Sequence, residues 1–302
     1  MGESMKSGII NVYKEAGYTS FDVVAKLRGI LGIKKIGHTG TLDPDATGVL
    51  PVCIGKATKV CDMLTDKDKT YCAVMRLGIV TDTQDMSGSV LEERDVTVSE
   101  QEVRDVLMSF VGPSQQIPPM YSSLKVNGQK LCDLARKGIQ VERKPRDIVI
   151  HQIVLENIAL PLVKFSVTCS KGTYIRTLCQ DVGEKLGCGA CMDSLVRTRV
   201  SNFAVEDSLK LDEIEALKQK GKLEQHWVAV DEVFAKYPSV HGKPDATAKL
   251  SNGNGLYPEE IAEADLQLTN GDLVRMYMDD GRFVGIFVWK EHLLKPEKMF
   301  LE

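Results

Sequence analysis

The stretch Gly37-His38-Thr39-Gly40-Thr41-Leu42-Asp43-Pro44-Asp45-Ala46-Thr47-Gly48 constrains this chain more than any other. Three glycines, three threonines, two aspartates, a proline and a histidine stand within twelve residues. Gly and Pro break both helices and central strands, and Thr and Asp side chains compete for backbone hydrogen bonds. The stretch therefore predicts a loop, and an apolar, helix-like pattern resumes directly after it. A polar loop held between rigid elements is where binding and catalytic groups concentrate. The reagents it offers are two carboxylates and one imidazole.

At 302 residues the chain suits one large domain plus a smaller one. With 43% hydrophobic and 26% charged residues it can build a full core, which excludes a disordered chain. Apolar runs such as Ile148-Val149-Ile150 are far too short to cross a bilayer. Residues 1–6 lack the apolar centre of a secretion signal, and Lys6 breaks the acylation pattern that Gly2 begins. These features predict a cytoplasmic protein with no membrane partner. Cys53, Cys61, Cys72, Cys132, Cys169 and Cys179 are scattered among apolar neighbours, and Cys188-x-x-Cys191 lacks the second pair of a zinc site. The cysteines read as structural thiols.

The net charge is −4, but it is unevenly spread. From Pro119 to Arg146 seven basic residues (Lys125, Lys130, Arg136, Lys137, Arg143, Lys144, Arg146) face only Asp133 and Glu142. From Glu206 to Asp265 thirteen acidic residues face seven basic ones. A polyanion responds to the local field and not to the sum. On charge alone, the basic stretch is equally a solvated surface loop or a polyanion contact.

Ile9–Tyr13 reads as a strand, and Thr19-Ser20-Phe21-Asp22 as a capping box opening a helix with Val23, Val24, Leu27, Ile30 and Leu31 at helical spacing. Gly55–Leu64 predicts a helix and Thr70–Leu77 a strand alternating around Tyr71. Ser99-x-x-Glu102 caps an amphipathic helix. Ile117–Ser123 is irregular, and Lys130–Lys137 is a short helix stopped by Gly138. Strands are expected over Ile148–Leu155 and Leu162–Cys169, then helices over Tyr174–Leu186 and Leu211–Lys220. After Tyr237-Pro238, Gly/Asn turns separate short strands at Leu273–Met278 and Phe283–Trp289, a small β-rich appendage.

Three phosphate or nucleotide readings of the chain come first. Gly55-Lys56-Ala57-Thr58 has Leu50 where a phosphate loop needs Gly and Ala57 where it needs Ser or Thr, which excludes it. No Gly-x-Gly-x-x-Gly follows a strand, so dinucleotide binding has no support. Asp43-Pro44-Asp45-Ala46-Thr47 fits the Asp-x-Asp-x-Thr of magnesium-dependent phosphatases with an Asp nucleophile, although only Leu42 supplies the apolar strand that should precede it.

The same loop, continued through Val49-Leu50-Pro51, resembles the active-site motif of the TruB family, the bacterial tRNA pseudouridine-55 synthases. Further motifs follow in that family's order: Lys14 with Gly17-Tyr18-Thr19-Ser20, Asp68-Lys69-Thr70-Tyr71, Ile117 to Lys125, Ser170 to Thr177, and Leu195-Val196-Arg197-Thr198. The resemblance covers roughly Ile9 to Val200, and the tail looks like a short PUA-type RNA-binding domain. Glu15 stands where the family usually has Pro, and Cys191 where a less reactive residue is common.

The resemblance implies an α+β catalytic domain (1–235) around a mixed, largely antiparallel sheet, with a basic RNA-gripping insertion at 119–146, and a PUA-like domain at 236–302. It implies a cofactor-free isomerase acting on the T stem-loop of tRNA, and a monomer. Asp43 is the catalytic carboxylate by similarity. Arg176 pairs with it, a role that competes with a plain structural ion pair at a helix start. Tyr71 stacks on the flipped base and can help remove its carbon 5 proton; Tyr174 supports the pocket, and Leu195 is an apolar wall. His38 fills the gap left by the extruded base, or else fixes the loop through a ring nitrogen. Lys125 is a phosphate contact, with Lys34 and Lys35 as additions. A non-catalytic tRNA-binding or folding protein would keep His38 and the basic loop without needing Asp43. The phosphatase reading would need Asp43, Asp45 and magnesium.

Overall fold

The computed structural model describes residues 7–263 and 266–301. Residues 1–6, read above for secretion and acylation signals, and Asp265 of the acidic stretch lie outside the described residues. Among those described, nine strands form one sheet: β1 (Gly8–Lys14), β2 (Ile36–His38), β3 (Thr47–Ile54), β4 (Lys69–Leu77), β5 (Gly112–Gln116), β6 (Arg146–Ala159), β7 (Leu162–Cys169), β8 (Ala190–Val200) and β9 (Phe203–Ala204). Their order is β1-β3-β8-β4-β7-β6-β5, with β2 beside β3 and β9 beside β8. Only β3 and β8 run parallel, so the sheet is mixed and largely antiparallel, as expected.

Strand β4 shows why the sheet forms where it does. Lys69, Tyr71, Ala73, Met75 and Leu77 are buried and the residues between them half-buried, the period of two that pleating imposes. Its register aligns one row across five strands: Lys14 opposite Gly48, Gly48 opposite Arg197, Arg197 opposite Tyr71, and Tyr71 opposite Val167. Residues directly opposed in a sheet share a face. Two cations and a phenol are thus delivered to one side.

Helix α1 (Ser20–Leu31) opens with the expected capping box, in which Asp22 N donates to Thr19 Oγ1 (3.1 Å) and Thr19 N to Asp22 Oδ2 (2.8 Å). It packs Val23, Val24 and Leu27 against Leu50, Val52 and Ile54 of β3. Helix α2 (Glu100–Met108) has the predicted Ser99–Glu102 box. Helix α3 (Ile175–Leu186) buries Ile175, Leu178, Cys179 and Val182 with Phe165, Tyr71 and Leu195. Burial of each aliphatic side chain there contributes roughly 1.5–3 kcal/mol, which anchors the helix start beside the polar loop. Helix α4 (Leu211–Gln219) lies against α1.

A second sheet, β10 (Ser239–His241), β11 (Leu273–Tyr277), β12 (Phe283–Lys290) and β13 (Leu293–Met299), forms the small C-terminal β domain. It docks through Ile286 and Phe300, which share a core with Ile9, Val49, Val230 and Phe234. Lys59 Nζ donates to Met299 O (2.8 Å) and Lys298 Nζ to Lys59 O (2.8 Å) across the same contact.

The structure departs from the sequence expectations at several places, and the short strands β2, β5, β9 and β10 are also additions to them. The residues after the polar loop form the strand β3 and not a helix: seven of its eight residues are buried, so both faces are apolar and the alternation that marks a strand is absent. The loop itself is shorter than its composition suggested, since Gly37-His38 end β2 and Thr47-Gly48 begin β3. Gly55–Leu64 is a tight turn of 3-10 helix over Gly55–Val60 followed by a short α-helix at Cys61–Thr65. Strands β8 and β13 went unanticipated, because charged residues interrupt their apolar pattern.

Gly48 is the seam of the sheet. Its φ of +104° lies where L side chains are strained, and a Cβ there would sit 2.2 Å from the Arg197 carbonyl oxygen. Gly48→Ala should therefore destabilise the protein by about 2–4 kcal/mol, combining overpacking with backbone strain. A denaturation midpoint equal to wild type would contradict this account of the β3–β8 contact.

Candidate active site

The loop between β2 and β3 has no ladder of its own, so its backbone groups must find other partners. Lys14, fully buried at the end of β1, donates from Nζ to Pro44 O (2.8 Å), Ala46 O (2.6 Å) and Glu15 O (3.1 Å). Arg197, 1% exposed on β8, donates from Nη2 to Gly40 O (3.2 Å), from Nη1 to Thr41 O (3.5 Å) and from Nε to Val49 O (2.7 Å). Leu42 N donates to Ser20 Oγ (2.9 Å) in the first turn of α1. Leu42 and Ala46 are plugged into the core, 4% and 2% exposed. Asp43 lies between these two plugs, so its backbone has little freedom.

Asp43 is gripped side-on by Arg176 from the first turn of α3: Nε lies 2.9 Å from Oδ2 and Nη2 3.1 Å from Oδ1. The Arg176 side chain is 5% exposed and that of Asp43 38%, so solvent reaches the carboxylate but not its cation. The rest of the guanidinium is held too. Nη1 donates to Thr83 O (2.9 Å) and stands 3.5 Å from Asp85 Oδ2, and Nη2 donates to Tyr121 O (2.7 Å). Burial pushes the Asp43 carboxyl above its ordinary value; Arg176 opposes that rise, Asp85 adds to it, and Lys14 opposes it. A paired arginine by itself favours the charged carboxylate. The guanidinium does pull that way, but desolvation outweighs it.

Tyr71 is 8% exposed with its hydroxyl on Arg197, and burial pushes the phenol up to about 12. Leu195, also 8% exposed, sits opposite Ala73 on β8 and joins the core that holds Tyr71, Leu42 and Ala46. Tyr174 precedes α3; the buried Gln116 amide clasps its main chain, accepting from Tyr174 N (2.8 Å) and donating to Tyr174 O (3.0 Å). His38 is half-buried at the end of β2, and its Nδ1 accepts from Gly40 N (3.2 Å), the loop-fixing bond foreseen as the alternative role. An accepting Nδ1 requires a neutral ring with its proton on Nε2. Desolvation and the Arg197 charge lower the His38 pKa accordingly.

Asp45 is exposed, and its charge acts on Lys14. Lys125 is exposed on a small hairpin pairing 125–126 with 129–130, well outside the buried cluster. All eight cysteines are free thiols, five buried and three half-buried, and among the described residues no group of three or more His, Cys, Asp or Glu is arranged to hold a metal ion.

Lys14 and Arg197 entered the sequence reading only as letters of motifs, and Asp85 and Gln116 were missed altogether. A lysine closing an apolar strand and an arginine within alternating β8 are signals that such a group has a buried partner. Asp85 carried no signal, since it lies on a polar turn that only the fold brings to Arg176.

Residues 28–175 match the family profile described as "TruB family pseudouridylate synthase (N terminal domain)", and residues 176–235 match "tRNA pseudouridylate synthase B C-terminal domain". Among curated relatives, the "tRNA pseudouridine synthase B" of Lachnoclostridium phytofermentans is 53% identical, covering 98% of this chain and 100% of the relative. The protein of that name from Bacillus pumilus is 40% identical, covering 98% of each. Among solved structures, a Cbf5-Nop10-Gar1 complex matches with a TM-score of 0.75 at 29% identity over 97% of this chain and 85% of the other. An H/ACA RNP bound to a substrate RNA containing 2′-deoxyuridine matches at 0.74 and 27% identity over 98% and 85%. Matching profiles over the greater part of the chain and relatives at this identity and coverage lead to one conclusion: the chain belongs to the TruB family of pseudouridylate synthases.

Proposed function

We propose that this protein isomerises uridine to pseudouridine in the T loop of tRNA, at position 55, and that Asp43 is the catalytic residue. The observation that carries this reading is the carboxylate itself: solvent-reachable, oriented by a two-point grip from a buried arginine, and mounted on a loop clamped from both sides. In the reaction the bond from the base N1 to ribose carbon 1′ breaks, the base turns over, and carbon 5 bonds to carbon 1′. Carbon 5 then loses its proton and N1 gains one, so atoms and electrons balance without a redox partner. Attack on the sugar, attack on the base and removal of a ribose proton all need an ionised, positioned carboxylate.

In this reading Tyr71 stacks on the extruded base and Leu195 walls it. A phenol pushed up to about 12 is protonated at neutral pH, so taking the carbon 5 proton would first require it to lose its own; stacking requires no such step. Tyr174, fixed by Gln116, supports the pocket edge. A neutral His38 suits a wedge that replaces the flipped base, since extrusion costs a few kcal/mol of lost stacking. The basic insertion 119–146 grips the T stem-loop, with Lys125, Lys34 and Lys35 near phosphates. Residues 1–235 form the catalytic domain and 236–302 a PUA-like RNA-binding domain of a monomeric, cytoplasmic enzyme. No helix among the described residues is long and apolar enough to cross a membrane.

Incubating tRNA tritiated at uridine carbon 5 with the wild-type protein in EDTA should release tritium, and Asp43→Asn should lower the rate on the order of 10⁴-fold or more. No release by wild type would sink the proposal; equal release by both would remove Asp43 from the chemistry. Because Asp43 must be ionised and burial raises its carboxyl, kcat/KM should fall as pH drops, with a midpoint above the usual aspartate value of about 4. A midpoint at or below about 4 would contradict the desolvated site. Lys125→Ala should lower the slope of log affinity against log salt by about one unit. An unchanged slope would place Lys125 away from phosphate.

A further inference from the structure

The geometry points to Gln84 as a positioning residue for the Asp43–Arg176 pair, acting through a hydrogen-bonded latch to Thr177 on α3. This rests on the isomerase reading above. Gln84 has a φ of +65°, a left-handed conformation that a glutamine adopts only when its surroundings impose it. Glycine would take the same backbone without strain. A side chain kept there needs a reason in what it touches.

What it touches is the helix that carries Arg176. Thr177 Oγ1, buried in the first turn of α3, donates to Gln84 Oε1 at 2.8 Å. The residues on either side of Gln84 hold the guanidinium next door: Thr83 O accepts from Arg176 Nη1 at 2.9 Å, and Asp85 Oδ2 lies 3.5 Å from the same nitrogen. Three consecutive turn residues thus meet two consecutive helix residues. The turn is also tied to the sheet, because Met192 N donates to Gln84 O (2.9 Å) and Met86 N to Met192 O (3.1 Å). Asp85 is braced from within the turn by Thr83 Oγ1 (2.7 Å) and Ser87 N (3.0 Å).

The latch therefore sets the distance between the turn and α3. Without it the turn keeps its bonds to Met192 but loses one of its ties to α3, so Thr83 O and Asp85 can shift relative to Nη1 and Arg176 can tilt away from Asp43. Gln84 bonds Thr177 and its neighbours in the turn and sheet and makes no hydrogen bond to Asp43, so its effect runs through orientation. Orientation errors of this kind lower the chemical step while leaving remote substrate binding in place.

The test uses the full chain and T-loop tRNA tritiated at carbon 5, under single-turnover and steady-state conditions. Thr177→Val and Gln84→Gly should each lower kcat about tenfold, equivalent to about 1.4 kcal/mol, with KM for tRNA unchanged. The double variant should lose no more than either single one, because both remove the same bond. Thr177→Ser should recover the kcat lost in Thr177→Val. The acid limb of kcat/KM should move to higher pH in Thr177→Val. There a loosened Arg176 opposes protonation of Asp43 less, with Asp85 and Lys14 still in place. Thermal midpoints report folding separately. A variant with lowered kcat, a wild-type midpoint and a displaced acid limb supports the latch. Undiminished kcat in both single variants, a loss confined to KM, or an unmoved acid limb would overturn it while wild-type release keeps the isomerase reading intact. Absence of release by wild type would overturn both.

Discussion

Two buried cations, Lys14 and Arg197, organise this molecule. Both stand in strands, both are sealed from water, and neither makes an ion pair among the described residues. Removing a cation from water costs several kcal/mol unless strong hydrogen bonds replace the solvent. The replacement comes from main-chain carbonyls of the polar loop: Gly40 and Thr41 for Arg197, Pro44 and Ala46 for Lys14. The dependence is mutual. The loop has no secondary structure to occupy its carbonyls, and among the described residues no carboxylate lies within ion-pair distance of either cation, although Asp45 and Asp43 act on Lys14 from farther away. Desolvation still shows in Lys14, whose pKa is lowered to about 8.

Asp43 takes its character from that arrangement. Its loop is held from Gly40 to Ala46, so the carboxylate meets Arg176 already ordered. Burial and Asp85 push its pKa up while Arg176 and Lys14 pull it down. A carboxylate balanced in this way is more basic than one in a simple exposed ion pair, yet it stays aimed. Arg176 reaches further than its partner: it ties together the loop, the turn at 83–85 and, through Tyr121 O, the start of the basic insertion. The basic segment is thus joined through one guanidinium to the loop carboxylate.

Much of this was legible in the residues. The capping boxes at Thr19 and Ser99, the alternation around Tyr71 and the Gly138 stop beyond the short helix at Leu131–Ala135 are local signals, and local signals survive folding. The motif order placed Asp43, Arg176, Tyr71 and Leu195 in one family pattern, and the fold brings all four to one face. What failed were elements whose pattern is set by neighbours. Strand β3 lost its alternation because it is covered on both faces, and β8 hid its own because Arg197 points into the core where an apolar residue was expected. His38 had two readings, and its bond to Gly40 N came only with coordinates.

The sequence by itself determined the chemical inventory: a stretch too rich in Gly, Pro, Thr and Asp to be regular throughout, a carboxylate within it, and a basic segment inside an acidic chain. Its motifs also determined the family. The tertiary structure decided how those pieces act on one another. It alone aligned Lys14, Gly48, Arg197 and Tyr71 in a row across strands distant in sequence. It alone brought the 83–85 turn to Arg176, and it alone set the balance of burial against charge at Asp43. The reason is physical: composition and spacing act within a few residues, whereas desolvation and Coulomb interactions depend on distances that exist only after the chain has closed on itself.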